Sequence, residues 1–233
     1  MTELLLCRLN FCSADCVYTG RVPSIYALKP RFQKRLRPIV AALASAGVTA
    51  NQVTCIACVL SILVGVVLTR RIGSHRLLLI LPIFLLLRMA MNAIDGMLAR
   101  EFGQKSDLGA YLNELTDVVA DSFLYLPFAY LPPFEPLWIG AVVCLSVISE
   151  MAGIIGLTIG ANRRYDGPMG KSDRAFVFGV VALWIGVGGK VSLWLSWAFP
   201  RLMAVLLVAT IVNRVRNGLA EKRAARAIGT RAS

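Results

Sequence analysis

Residues 88–121 read RMAMNAIDGMLAREFGQKSDLGAYLNELTDVVAD, and this stretch decides the fold because it sets acids and amides between two apolar segments. The segment before it, residues 76–93, reads RLLLILPIFLLLRMAMNA, and the one after it continues to Tyr130. Ionisable side chains at membrane depth are costly unless they are paired, bound to a metal or wetted by a cavity. The stretch therefore predicts a polar site where two membrane helices end.

The polar residues of this stretch follow helical spacing. Arg88, Asn92, Asp95 and Ala99 recur at i, i+4, i+7 and i+11, and Asn113, Asp117 and Asp121 recur at i, i+4 and i+8. Each set can therefore share one helix face, and the two faces can oppose each other. Carboxylate and amide oxygens on opposed helices suit a hard divalent cation. A buried polar zipper between the helices, without chemistry, is the alternative.

The stretch resembles the CDP-alcohol phosphotransferases, which carry D-x2-D-G-x2-A-R-x8-G-x3-D-x3-D. At those spacings this chain has Asn92, Asp95, Gly96, Ala99, Arg100, Gly109, Asn113 and Asp117. The resemblance departs from the motif at Asn92 and Asn113, which stand where the family has its first and third aspartates. The departure leaves the number of bound metals open, with Glu114 and Asp121 as candidate substitutes for the missing charge.

The resemblance implies an enzyme that transfers a phosphatidyl group from CDP-diacylglycerol to an alcohol and releases CMP. It implies that Asn92, Asp95, Asn113 and Asp117 hold Mg²⁺ or Mn²⁺, and that Gly96, Ala99, Arg100 and Gly109 contact the donor. Asp117 would be the base, and Asp121 would orient the acceptor or replace a ligand. A homodimer is common in the family.

The two asparagines in the motif raise the question of whether the chain is an enzyme at all. A non-catalytic relative that binds lipid or nucleotide as a membrane partner is the alternative, because two motif acids are asparagines. The retained Asp95, Arg100 and Asp117 favour the enzyme, since drift would not be expected to spare all three. A small transporter predicts internal repeats and broken helices, and the sequence shows neither.

Composition indicates an all-α, polytopic membrane protein. The 233 residues are 57% hydrophobic and 16% charged, with a net charge of +12. Because the cations flank apolar segments, anionic lipid headgroups are a better partner for them than nucleic acid. The six cysteines lie in the N-terminal segment and in apolar helices, which favours packing over a disulfide framework or a metal site.

We predict six spans, preceded by an amphipathic surface helix. The predicted spans are residues 53–68, 77–93, 112–130, 137–159, 175–187 and 194–212. The domain boundaries are an N-terminal extension at 1–24, the juxtamembrane helix at 25–47, the membrane domain at 48–215 and a basic tail at 216–233. Lys and Arg are concentrated on one side of these spans, which predicts both termini in the cytoplasm of a bacterial plasma membrane.

Two features outside the motif are further site candidates. Lys171 and Arg174, at i and i+3, form a candidate substrate-binding pair that could clamp a phosphate, whereas Arg163 and Arg164 fit the positive-inside bias better. The same cations hint at an anionic acceptor. Glu150, in the fourth predicted span, should face the bundle, either shaping the polar cavity or pairing with Arg88.

Overall fold

The computed structural model describes residues 29–231, and within that range the chain forms seven α helices and two short 3-10 helices, without a strand. The α helices are α1 Lys29–Ser45, α2 Ala50–Arg70, α3 Ile80–Glu101, α4 Asp107–Tyr125, α5 Pro136–Thr158, α6 Lys171–Gly186 and α7 Leu193–Arg231. The 3-10 helix His75–Leu79 leads into α3, and Leu126–Tyr130 follows α4. The predicted extension at 1–24 lies outside the described residues. The all-α class is confirmed.

Four helical segments of the described range are long and apolar enough to cross a membrane: Ala50–Arg70, His75–Glu101, Pro136–Thr158 and Leu193–Ala225. Helices α4 and α6 stand where the third and fifth spans were predicted. Helix α4 is less apolar because it contains four acids, and α6 has only 16 residues. Helix α7 continues through the predicted tail to Arg231.

Local sequence fixes where the helices around the polar stretch begin. Thr49 caps α2: its side chain accepts a hydrogen bond from the Gln52 backbone N–H at 3.2 Å, and the Gln52 side chain accepts one from the Thr49 N–H at 2.9 Å. Ser106 caps α4 by accepting a hydrogen bond from the Gly109 N–H at 3.0 Å. Both caps satisfy backbone donors that would otherwise be unpaired.

Helices α2 and α4 pack closely through Gly65. A Cβ atom at Gly65 would lie 2.2 Å from the backbone oxygen of Phe123, so a side chain there would force the helices apart. Beyond this contact lies the main apolar core, where Tyr125 stacks on Phe178 with ring centroids 4.2 Å apart. The polar stretch lies at the other end of α4.

Helix α1 packs on this polar end of the bundle. Its buried residues Leu36 and Val40 join a small core with Met97 and Leu98 of α3. The pair between Arg37 and Glu101, at 3.1 Å, ties α1 to the C-terminal end of α3.

Candidate functional site

A groove of about 470 Å³ lies between the first turns of α2, the last turns of α3 and the first turns of α4. Six of the eight motif positions line it: Asp95, Gly96, Ala99, Arg100, Gly109 and Asn113. The remaining lining residues are Ala50, Asn51, Thr54, Gln104, Lys105, Ser106, Ala110 and Glu114. Six motif positions therefore share one surface, as helical spacing predicted, whereas Asn92 and Asp117 do not line the groove.

Small residues bring polar groups close to the backbone in this groove. A Cβ atom at Gly96 would lie 3.1 Å from Nη2 of Arg100, so the guanidinium rests against the bare backbone of α3. A Cβ atom at Gly109 would lie 2.8 Å from Oδ1 of Asn51. The guanidinium of Arg100 and the amide of Asn51 therefore lie directly against the backbone of the groove wall.

Asp95 is a buried carboxylate at the base of the groove, with 6% of its surface exposed. The Thr54 hydroxyl donates a hydrogen bond to its Oδ2 at 2.8 Å. Sequence reasoning missed Thr54, because a threonine one turn into an apolar helix has no distinguishing pattern. Its role is to fix the orientation of the carboxylate.

Asp117 lies beside the groove between two cations. Arg88 donates to its Oδ1 at 3.2 Å, and the Lys171 ammonium forms an ion pair with its Oδ2. The Asn92 amide donates to Oδ1 at 3.3 Å. An aspartate at position 92 would instead place a second negative charge against Asp117, so the asparagine suits the neighbour it has.

Asp121 lies one turn deeper, with 4% of its surface exposed. Arg88 donates to its Oδ1 at 2.6 Å and Arg174 donates to its Oδ2 at 3.2 Å. Arg174 is fully buried and also donates to Glu150 at 2.9 Å. Asp121 is therefore held between two guanidinium groups.

Lys171 and Arg174 thus bind two different acids. We call the two ion pairs, Lys171–Asp117 and Arg174–Asp121, the charge ladder. Lys171 and Arg174 are three residues apart, a rise of about 4.5 Å along α6, and Asp117 and Asp121 are four residues apart, a rise of about 6 Å along α4. Because the first cation binds the first acid and the second cation binds the second, the two helices run in the same direction. The pairs engage both cations of the predicted phosphate clamp.

Glu150 does not pair with Arg88. Besides its bond from Arg174, it has Arg214 of α7 at 3.5 Å and Arg163 at 3.8 Å. Arg163 also forms an ion pair with Glu114 on the groove wall. Sequence analysis did not identify Arg214. It follows the last apolar residues of α7, where a basic residue is expected to contact lipid headgroups.

The loop before α6 is tied to the extended α7. Arg164 forms ion pairs with Asp166 at 2.7 Å and with Glu221 at 2.8 Å, and Asn162 donates to Glu221 at 2.6 Å. Partial burial acts to raise the pKa of Asp166, but the hydrogen bonds and charge of Arg164 outweigh it, so the pKa is lowered. The loop is therefore fixed where it presents Arg163 to the groove.

The residues that could hold a metal ion supply oxygen donors. Among the described residues, no three His, Cys, Asp or Glu side chains are grouped as a metal site. The candidate donors are the carboxylates of Asp95 and Asp117 and the amide oxygens of Asn92 and Asn113. Oxygen donors of both kinds are those that Mg²⁺ and Mn²⁺ take in proteins, so the set fits a hard divalent cation.

Comparison with known proteins gives a family match. A family model described as CDP-alcohol phosphatidyltransferase matches residues 47–218. The chain is 41% identical over 198 residues to the inner membrane protein YnbA of Escherichia coli K12, covering 84% of this chain and 96% of that protein. It is 28% identical over 130 residues to an archaetidylinositol phosphate synthase of Aeropyrum pernix, covering 55% of this chain and 64% of that protein.

Solved structures show the same fold. The phosphatidylinositol phosphate synthase PgsA1 of Mycobacterium tuberculosis with CDP-DAG bound matches with a TM-score of 0.63 at 21% identity, covering 78% of this chain and 92% of that one. The same enzyme in complex with manganese and citrate matches with a TM-score of 0.64 at 20% identity, covering 78% and 88%. At these identities the likeness establishes the arrangement of helices.

Proposed function

Because the chain belongs to the CDP-alcohol phosphatidyltransferase family, we propose that its groove binds CDP-diacylglycerol and that Asp117 activates the alcohol acceptor. The chain is a multi-pass membrane transferase of phospholipid biosynthesis. The observation that carries the proposal is that six motif residues line one groove with Asp117 beside it.

The donor half of the proposal rests on charge and space. Arg100 rests on the glycine backbone of α3 at the groove wall, where it would neutralise a phosphate of the nucleotide. Asp95, with the amide oxygens of Asn92 and Asn113, would hold the divalent cation. When bound, that cation stabilises negative charge on the diphosphate oxygens, which is the main catalytic contribution available in phosphoryl transfer.

In the reaction, the acceptor oxygen forms a bond to the phosphorus of the phosphatidyl group, and the bond from that phosphorus to the oxygen of CMP breaks. The hydroxyl proton passes to the carboxylate of Asp117, which Arg88 and Asn92 orient. Asp121 does not line the groove and binds Arg88 at 2.6 Å, so we assign it the positioning of Arg88.

The test is CMP release by the purified chain in detergent, with CDP-diacylglycerol, Mg²⁺ or Mn²⁺, and a panel of neutral, zwitterionic and phosphorylated alcohols. Acceptor-dependent CMP release supports the enzyme. Binding of donor without release under every condition supports the non-catalytic lipid or nucleotide binder instead. Light scattering of the same preparation measures whether the chain is a homodimer, which the family resemblance supports.

We also propose six spans with both termini in the cytoplasm. The charge ladder requires α4 and α6 to run in the same direction, so α5 must return between them. This supports α4 and α6 as the third and fifth spans, although they are less apolar. The cations of α1, including Lys34 and Arg35, then lie at the cytoplasmic headgroups, as does the predicted tail.

Topology reporters test this arrangement. Fusions at Gly103 and at Gly167 are expected to score cytoplasmic and a fusion at Pro133 external, because the Lys and Arg residues concentrate around the first two positions. The measurement is paired alkaline phosphatase and green fluorescent protein activity in intact cells. A cytoplasmic score at Pro133 would break the six-span proposal and place the groove on the wrong side.

The two asparagines are expected to change the metal requirement. Replacing Asn92 or Asn113 with Ala deletes an oxygen donor and should raise the metal concentration needed for half-maximal CMP release. Asn→Asp adds charge at either position and should lower it. Metal titrations of the wild type and the four variants measure this. Identical titration curves for all five folded proteins would show that neither asparagine contacts the ion.

A further inference from the structure

The acids of the site are nearly all occupied by cations of the protein itself. Of the five acids at or beside the groove, Glu114, Asp117, Asp121 and Glu150 each form an ion pair with Arg or Lys. Over residues 29–231, Asp95 has no ion pair and is hydrogen-bonded to a hydroxyl instead. Asp95 is therefore the carboxylate whose charge is still free for a metal ion.

Asp117 receives the most positive charge. Lys171 engages Oδ2 and Arg88 engages Oδ1, while Asn92 adds an uncharged donor. A hard cation requires anionic oxygens that are not already neutralised, and it is repelled by an ammonium at contact distance. The position beside Asp117 thus disfavours a second divalent cation.

The two asparagines act in the same direction. A pair of divalent cations a few ångströms apart needs several carboxylates to offset four positive charges. Here Asn92 and Asn113 supply neutral oxygens, and Lys171 supplies a fixed positive charge. The asparagines thus withhold the negative charge that a second cation needs, and Lys171 supplies a positive charge from the protein in its place.

We propose that this site takes a single divalent cation, bound at Asp95 with the amide oxygens of Asn92 and Asn113, and that the Lys171 ammonium on Asp117 replaces a second one. The inference rests on the proposed function, because it concerns the metal of that reaction. Lys171 then has a role in catalysis that differs from clamping an acceptor phosphate.

The experiment counts Mn²⁺ ions bound to the full-length protein in detergent. Free and bound Mn²⁺ are measured by electron paramagnetic resonance, and the low-temperature spectrum distinguishes an isolated ion from an exchange-coupled pair. We expect one Mn²⁺ per chain with an isolated-ion spectrum. Lys171→Met should raise the Mn²⁺ affinity about tenfold or more, because it removes a positive charge near the ion. Lys190→Met, at an exposed loop position, is the matched control and should leave the affinity unchanged.

The triple variant Lys171→Met, Asn92→Asp, Asn113→Asp is expected to bind two Mn²⁺ ions with a coupled spectrum. Two coupled ions in the wild type, or no bound Mn²⁺ at all, would overturn the inference, and this readout does not depend on how the variants fold. Coupled Mn²⁺ together with acceptor-dependent CMP release would leave the proposed function standing. One isolated Mn²⁺ without CMP release under any condition would uphold the inference and remove the proposed function.

Discussion

The Asp117→Asn variant is expected to release CMP about 10²- to 10⁴-fold more slowly than the wild-type chain, because an amide cannot accept the proton of the acceptor hydroxyl. Asp117 lies beside the groove and is oriented by Arg88 and Asn92. Asparagine has the same size as aspartate but lacks its basicity, so the substitution tests the proton transfer. The measurement is the initial rate of CMP release at saturating donor. Asp107→Asn, an exposed acid in the first turn of the same helix, is the control and should be unaffected.

Asp95→Ala should abolish turnover for a different reason, since it removes the carboxylate that is free to bind the cation. The rate of CMP release by Asp95→Ala should fall as far as the rate of the wild-type chain does in EDTA. Turnover that persists in EDTA, or in either variant with an unchanged melting temperature, would refute a mechanism that depends on a metal and a general base. Because Asp117→Asn also leaves Lys171 without its acid, the melting temperature of each variant must be measured alongside the rate.

The second large effect concerns stability. Arg174→Met should lower the free energy of unfolding by about 3–5 kcal/mol, because it leaves Asp121 and Glu150 buried with less compensating charge. The exposed pair Arg37–Glu101 is the matched control, and Arg37→Met should cost about 1 kcal/mol or less. Thermal denaturation in detergent, followed by size-exclusion chromatography, measures both.

A second substitution shows whether the loss comes from an orphaned charge. Arg174→Met with Glu150→Gln should recover part of the stability, because the amide no longer buries a negative charge beside the vacant guanidinium position. If Arg174→Met is no more harmful than Arg37→Met, the buried cluster contributes little to folding.

The sequence predicted the groove because helical spacing determines which residues share a face. Asp95, Gly96 and Arg100 recur within turns of one helix, and Gly109 and Asn113 begin the next, so helical spacing alone puts each set on one face. The connection between those helices is short, which keeps their ends near each other. In the structure α2 packs against both α3 and α4, and the groove lies between the three helices.

The partners across the bundle could not be predicted in the same way. Arg174 and Asp121 are separated by 53 positions, and no periodicity says which faces of α4 and α6 meet. The sequence therefore predicted that Lys171 and Arg174 bind one phosphate together, whereas in the structure each forms an ion pair with a different aspartate. Glu150 was correctly expected to face the bundle, but its proposed partner Arg88 binds Asp117 and Asp121 instead.

The charge ladder also has a consequence for biogenesis. Helix α4 carries four acids and α6 begins with two cations, so neither segment would partition well into lipid by its own hydropathy. The cations of α6 compensate the acids of α4 only when the two ion pairs of the charge ladder have formed. With 53 positions between Asp121 and Arg174, and synthesis at about 5–20 residues per second, α4 is made roughly 3–11 s before Arg174 exists. Until then Arg88 of α3 is the cation that Asp117 and Asp121 can pair with. A nascent chain that stops after α5 would lack both cations of α6, so Asp117 and Asp121 would then share the single guanidinium of Arg88.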